Sequence, residues 1–201
     1  MLDFASLLFN IDISARLPRP GSLLVAEPFL RESYFNHAVI CLIDHAPGLA
    51  SMGVVLNRLS GHTLQELIDD IRAPQSVPVF CGGPMSCDRL YFLHTLGPDI
   101  LPDAREIRQG LWIGGNFEAM KQYVNAGYPI DGHIRFFIGY SGWDDGQLDG
   151  ELRKNVWAVT EFSSAEKLLC GAEDRFWHRH VRAMGPSYRG WRYHPQNPRA
   201  N

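Results

Sequence analysis

Residues 136–151 read F-F-I-G-Y-S-G-W-D-D-G-Q-L-D-G-E, and Gly139-Tyr140-Ser141-Gly142-Trp143 at their centre has the look of a site. A nucleophile elbow is G-x-S-x-G on a strand–turn–helix, with the serine at the strained tip. The context fits and an acid followed by His178, His180 or His194 lies downstream, but Trp143 stands where the second glycine belongs. That glycine lets the chain approach closely after the nucleophile, so a serine hydrolase is disfavoured and no catalytic residue is assigned. As an anion site the turn offers main-chain N–H groups and a helix N-terminus. Asp144 and Asp145 fall at the expected helix start, where they would cap those N–H groups and repel an anion. A self-capped strand-to-helix corner is therefore expected, with Trp143 and Leu148 packed back onto the sheet.

A second glycine-rich turn, Gly82-Gly83-Pro84-Met85-Ser86-Cys87-Asp88-Arg89, follows a strand candidate. It is neither a phosphate loop nor a G-x-G-x-x-G dinucleotide fingerprint, so no cofactor is expected. A small-anion nest using Arg89 competes with a plain turn that leaves Asp88 and Arg89 on the surface, and the plain turn is favoured. The histidines give no H-E-x-x-H; His178 and His180 are two apart, which turns their rings about 200° from each other on a helix. His37 and His45, with Asp44, flank a strand candidate and are expected to serve as hydrogen-bonding strand ends. Four scattered cysteines, the closest pair spaced C-x5-C, suit neither zinc nor a disulfide framework. Buried free thiols in a reducing cytoplasm are expected, and no metal.

The net charge of −3 hides an asymmetry. Six of the 19 basic residues, all arginines, lie in 175–201, which holds no acid; residues 1–174 then carry 13 basic against 22 acidic residues, a body of −9 and a tail of +6. Arg175, Arg179, Arg182, Arg189 and Arg192 interleave with Phe176, Trp177, Tyr188, Trp191 and Tyr193. That mixture suits single-stranded nucleic acid through phosphate contacts and base stacking. The competing expectation, which is favoured, is a docked terminal helix and a tail packed on the acidic body or on another subunit.

The elements that must position these residues follow from hydrophobic period. At 45% hydrophobic and 20% charged the chain is an ordinary globular protein, without an apolar run of the roughly 18 residues a membrane span needs. The acidic start predicts an N-terminal amphipathic helix rather than a signal peptide. Residues 23–26, 38–43, 52–56, 77–80, 90–94, 111–113 and 156–159 read as strands, and 134–138 as a fully apolar one. A helix opens at Thr63, capped with Glu66, with Leu64, Leu67, Ile68 and Ile71 on one face. Asn116 caps another that Gly127 ends, and Ser163 with Glu166 forms a second capping box. In the last helix, 174–184, Trp177, Val181 and Met184 fall within about 60°, opposite Arg175, Arg179 and Arg182. Strands and helices alternate irregularly, which predicts one α+β domain over 1–184, with an N-terminal extension at 1–20 and a tail at 185–201.

Several stretches resemble a known family. G-S-L-L-V-A-E-P-F-L (21–30), M-G-V-V-L-N-R (52–58), V-F-C-G-G-P (79–84), L-Y-F-L-H-T (90–95) and I-G-Y-S-G-W-D-D-G-Q-L-D-G-E-L (138–152) are similar, in this order, to the AlgH/YqgE family. The resemblance covers about 21–184. It implies an α+β domain whose bifurcated mixed sheet partly closes into a small barrel, surrounded by helices. It also implies a bacterial cytoplasmic protein of unassigned activity, often labelled a transcriptional regulator, although no helix-turn-helix is visible here. The family often has alanine or serine at the Ser141 position, which argues against a nucleophile. The expected function is non-enzymatic binding or regulation, with a protein or small anionic ligand as partner. Asn57, Gly82, Gly83, Pro84, Arg89, Gly139, Tyr140, Ser141, Gly142 and Trp143 are the candidate contact residues. A nucleic-acid-linked regulator using the arginine-rich tail, and an enzyme in the glycine-rich cleft, are the alternatives.

Overall fold

The computed structural model describes residues 17–171 and 175–193. Among these residues there are ten strands: β1 (Leu23–Ala26), β2 (Val39–Asp44), β3 (Ser51–Val55), β4 (Leu59–Thr63), β5 (Pro78–Cys81), β6 (Met85–His94), β7 (Arg105–Arg108), β8 (Leu111–Ile113), β9 (Ile134–Trp143) and β10 (Trp157–Thr160). The described residues also form five helices: α1 (Leu64–Leu67), α2 (Phe117–Asn125), α3 (Gln147–Arg153), α4 (Ala165–Leu169) and α5 (Arg175–Ala183). A 3-10 helix at Pro186–Tyr193 follows. The expected N-terminal amphipathic helix lies outside the described residues.

The main sheet runs β10-β1-β2-β3-β9-β6-β8-β7, and β4 and β5 form a branch. The branch point is β9. Its first half pairs in parallel with β5, Val79 opposite Phe136 and Cys81 opposite Ile138; its second half pairs antiparallel with β3, Gly53 opposite Ser141 and Ser51 opposite Trp143. On its other side β6 runs antiparallel throughout, with a register break between Met85 and Leu90. The sheet thus splits where Gly139 sits at φ +70°, and the α+β architecture with a branched, curled sheet is what is found.

The two ends of the main sheet meet. Glu161, just beyond β10, accepts hydrogen bonds from Arg108 at the end of β7 (3.0 Å) and from Arg19 before β1 (2.6 Å). β1 and β2 are buried on both faces, as the continuous apolar run of 38–43 requires. Leu23, Val25, Val39, Cys41 and Ile43 point into the curl, against Phe137, Trp177 and Trp191. Leu24, Ile40 and Leu42 point outward, under Trp143, Leu148, Leu152 and Trp157. A third cluster, around Val79, Phe92, Met120, Val124 and Phe136, lies beneath α1 and α2.

Several expectations are corrected here. The strand does not stop at Ile138: β9 continues through all of Gly139–Trp143, because Gly139 bends the chain without ending its pairing. α3 begins only at Gln147, with Gly146 as its cap residue, so Asp144 and Asp145 do not cap it by their side chains. Trp143 and Leu148 do pack together onto the sheet. The helix opening at Thr63 lasts one turn. Glu66 accepts from the Thr63 N–H (2.9 Å) as expected, but Ile68 is extended and Leu67 is 42% exposed. Beyond it, Asn125 of α2 accepts from the Arg72 N–H and donates to the Asp70 carbonyl, which replaces helical bonds with a tertiary clamp. Ser164, not Ser163, caps α4, accepting from the Lys167 N–H. Asn116 caps α2 as expected, accepting from Ala119. The polar edge strands β4 and β7 were not anticipated.

Candidate ligand-binding site

The two glycine-rich segments, more than 50 residues apart in the chain, turn out to be each other's partner. The Gly82 N–H donates to the Ile138 carbonyl (2.9 Å), and the Gly82 carbonyl accepts from Val55 N–H (2.8 Å) and from the Ser141 hydroxyl (3.1 Å). A Cβ on Gly83 would stand 1.9 Å from the Tyr140 carbonyl carbon, and one on Gly139 would stand 2.4 Å from the Gly83 oxygen. These glycines exist to let two main chains cross in contact. The crossing leaves no room for a ligand. Ser141 is 1% exposed and its hydroxyl is committed to Gly82, so it is not presented as a nucleophile.

The remaining candidates are dispersed around this crossing. Asn57 behaves as an extension of a strand: its Oδ1 accepts from Val39 N–H and its Nδ2 donates to the His37 carbonyl, both at 2.9 Å. Pro84 and Arg89 are exposed. Gly142 lies against the Met85 sulfur. The Trp143 indole donates to Glu151 Oε2 (2.8 Å), and so does the Trp157 indole (2.7 Å). Gln147 donates to the other oxygen of the same carboxylate (2.8 Å). The D-D-G-Q-L-D-G-E segment is therefore a clasp that fixes two buried indoles.

In the tail, Arg175, Arg182, Arg189 and Arg192 are exposed. Arg179 donates to the Cys170 carbonyl (3.2 Å) and stands 4.7 Å over the Phe176 ring. Trp191 is packed, as the favoured docked-tail expectation has it and against the base-stacking alternative: it is 2% exposed and lies parallel to Trp177 at 6.3 Å. Phe176 and Trp177 are buried as well, and the Trp177 indole donates to the Ala26 carbonyl (3.0 Å). Of the tail aromatics, these three cannot stack on a base in this conformation; Tyr193 is exposed.

The side chain that stands out was not a sequence candidate. Arg135 is the second residue of β9, inside the run read as fully apolar, and only 4% of it is exposed. Strand alternation puts it on the Phe137 face, where its guanidinium lies 4.5 Å from the Phe80 ring and 5.6 Å from the Phe176 ring. It donates to three main-chain carbonyls: Leu56 beyond β3 (2.7 Å), and Leu169 and Gly171 at the end of α4 (2.6 Å each). Among the described residues no carboxylate pairs with it, although Asp131 is near enough to favour the charged form. Burial lowers its pKa to about 10, which still leaves it a cation at neutral pH. An arginine in a doubly buried strand must find partners, since a buried unpaired charge costs several kcal/mol. The sequence I-R-F-F-I carried that signal, and reading the run as apolar passed over it.

Arg135 forms part of the wall of a cavity of about 450 Å³. Leu59, Pro78, Phe80, Ile130, Ile134 and Leu169 supply the apolar lining. Gln75, Ser76, Asp131 and Gly171 supply the polar part, and Asp131 accepts from the Gly171 N–H (3.1 Å). An apolar concavity of this size with a few convergent polar groups is what a small-molecule site looks like. Elsewhere among the described residues no group of three His, Cys, Asp or Glu side chains could hold a metal ion, and no helix is long and apolar enough to cross a membrane.

A family profile described as AlgH-like matches residues 23–189. A UPF0301 protein of Parabacteroides distasonis is 39% identical over 194 residues, 96% of this chain and 97% of the relative. Another, of Bacteroides thetaiotaomicron, is 36% identical over 194 residues, 96% of this chain and 97% of the relative. Among solved structures, a crystal structure of a Corynebacterium diphtheriae protein superposes with a TM-score of 0.74 at 24% identity, covering 94% of this chain and 98% of its own. The solution structure of AlgH from Pseudomonas aeruginosa gives 0.64 at 24% identity, covering 85% and 94%. Both structures are similar in fold.

Proposed function

We propose that this chain, which belongs to the AlgH-like family, is a non-enzymatic binding protein of regulatory type whose ligand is a small anion held in the Arg135 cavity. One observation carries the reading: a cationic guanidinium, almost wholly buried, forms part of the wall of a cavity of about 450 Å³, and among the described residues only carbonyls accept its hydrogen bonds. Among the described residues of that wall Ser76 is the one hydroxyl, and no histidine or lysine joins it. The glycine-rich crossing then acts as scaffold. It fixes β5 against β9, and so sets Phe80 and Arg135 side by side. A cytoplasmic setting agrees with Cys41, Cys81, Cys87 and Cys170 being free thiols, although, against expectation, only Cys41 is buried and Cys87 is exposed.

The test is retention of small molecules from a deproteinised bacterial extract, read by mass spectrometry after dialysis. Ser76→Trp serves as the obstructed control, because Ser76 is an exposed residue of the lining and a bulky side chain there is expected to narrow the cavity. Anionic species retained by the parent and lost from the variant support the reading; identical retention by both contradicts it.

A second reading rests on a different observation. Arg175, Arg182, Arg189 and Arg192 are exposed, and among the described residues none of them ion-pairs with a carboxylate. That leaves a basic surface on α5 and the 3-10 helix suited to phosphates. If it binds nucleic acid, affinity for a single-stranded oligonucleotide falls steeply with salt and is lost on deleting residues 187–201. Affinity that ignores salt, or no binding, excludes it.

A further inference from the structure

A single imidazole ties both ends of one loop. His94, the last residue of β6, is 0% exposed. Its Nδ1 accepts from the Leu96 N–H (3.2 Å), where the 95–104 loop begins. Its Nε2–H donates to the Gly114 carbonyl (2.9 Å), just beyond β8. A nitrogen that accepts carries no proton, so the ring is the neutral Nε2–H tautomer. The segment after Gly114 in turn holds the far end of the loop. The Asn116 N–H donates to the Pro102 carbonyl (2.6 Å), and a Cβ on Gly115 would stand 3.2 Å from the Leu101 Cβ.

We propose that His94 is an acid-sensitive pin: uptake of one proton by its ring releases the 95–104 loop while the central strands stay paired. The device does not depend on what the Arg135 cavity binds.

A proton on Nδ1 turns the acceptor into a donor facing the Leu96 N–H. That bond is then lost and two buried donors oppose each other. The proton also places a charge where there is no contact with solvent. Burial is the larger influence on the ring and lowers its pKa from the ordinary 6.5, while the bond to Gly114 acts the other way. The charged groups on the surrounding elements are engaged elsewhere or exposed. Lys121 of α2 pairs with Asp70 and Glu118, and Arg105 of β7 pairs with Asp44. Arg135 lies opposite Leu93 in the ladder, one residue out of step with His94, and donates to carbonyls. Asp99, Asp103 and Glu106 are exposed. His133 meets this corner through its carbonyl, which accepts from the Thr95 N–H (2.9 Å).

The loop has little else to keep it closed. Pro98, Asp99, Ile100, Pro102 and Asp103 are exposed, and Asp103 sits at φ +64°, a conformation unfavourable to a residue with a side chain. Leu101 is buried, and with Leu96 and Ala104 it covers the cluster of Phe92 and Met120 beneath α2. Release uncovers that apolar face and loosens Asn116, the residue that caps α2. Acidity is thereby coupled to exposure of apolar surface.

The closed form has the lowered pKa and the released form the ordinary one. Closure is therefore fully stabilised above about pH 6.5 and weakens as the pH falls below it. With the released ring titrating near 6.5, the opening constant rises up to about tenfold between pH 7.5 and 5.5.

The experiment is hydrogen exchange of the full chain at pH 7.5 and 5.5, read by mass spectrometry and normalised for intrinsic rates. Protection of 95–104 is expected to fall about three- to tenfold at the lower pH, with that of Val39–Asp44 and of residues 134–138 unchanged. His94→Gln can donate to Gly114 and accept from Leu96 but takes up no proton, and it is expected to keep the loop equally protected at both values. Equal loss in the parent and in His94→Gln, equal loss across the strands, or no loss at pH 5.5 overturns the proposal. Nitrogen resonance of the parent's imidazole rings needs no variant. His94 is expected to show a bare Nδ1 at pH 7.5 and to gain its proton only as the 95–104 amides lose protection. A His94 ring that titrates fully while those amides stay protected overturns the proposal as well.

Discussion

The carbonyl oxygen of Gly139 lies 2.3 Å from where a side chain on Gly82 would begin. No Cβ tolerates that approach, and the obstacle is main chain that is itself paired in β9. Gly82→Ala and Gly83→Ala are therefore expected to lose several kcal/mol of stability, at or beyond the upper end of about 1–3 kcal/mol typical of overpacking. Gly61 makes the comparison: its φ is +84° but nothing lies within 4 Å of its Cβ position, so Gly61→Ala should lose only about 1–2 kcal/mol. Urea denaturation midpoints of the three variants check this. Equal losses would mean that the crossing is looser than described.

Glu151 supports two buried indoles with one oxygen, Trp143 at 2.8 Å and Trp157 at 2.7 Å. Glu151→Ala leaves both indole N–H groups without an acceptor, at about 1–3 kcal/mol each. Glu151→Gln retains an acceptor and should lose clearly less. Chemical denaturation followed by tryptophan fluorescence reports both, and a Gln variant as damaged as the Ala variant would refute the clasp.

Glu161 between Arg108 and Arg19 gives a pH signature. Hydrogen bonds from these arginines hold its carboxyl at about 2, below the usual 4.5. The folded-state value is depressed, so the stabilisation is full above pH 4.5 and disappears as pH falls from there to about 2. The carboxylate is substantially exposed, with 40% of its side chain accessible, so screening keeps the effect to about 1 kcal/mol or less. Glu161→Gln should flatten the stability–pH curve in that window and leave pH 7–8 behaviour near that of other exposed pairs; raised salt should shrink the difference. A curve as steep as the parent's would show that the sheet ends are not joined there.

Arg135 links β9 to the ends of β3 and α4. Arg135→Leu strips donors from the Leu56, Leu169 and Gly171 carbonyls and is expected to lose about 1–3 kcal/mol for each carbonyl left buried without a donor. Arg135→Lys restores the charge but not the three-way fork and should recover part of the loss. Thermal denaturation measures both. A fully stable Leu variant would mean that the guanidinium is not holding these segments.

Local signals in the sequence carried well into the structure, and long-range ones did not. Asn116 capping α2, and the two-sided burial of Val39–Ile43, depend on neighbours a few residues away, and both are found. The glycines at 82–83 and 139 were visible as types, but what each must avoid lies on the other segment. The short α1 failed for the same reason: Asn125, distant in sequence, claims the backbone that the apolar period assigned to a helix. β4 and β7 are polar edge strands whose faces alternate too weakly to be read. Arg135 differs, because its anomaly was local. A charge in a run buried on both faces was a legible signal, and only the carbonyls and the cavity around it required the fold.

Nuclear magnetic resonance of the arginine side chains, during addition of the small anions that the full chain retains from a bacterial extract, tests the central claim most directly. The Arg135 Nε–H signal is expected to shift and saturate with the stoichiometry of binding, while those of Arg175, Arg182, Arg189 and Arg192 stay still. Movement of the tail arginines or of the Gly82 and Gly83 amides, with Arg135 unchanged, would contradict it.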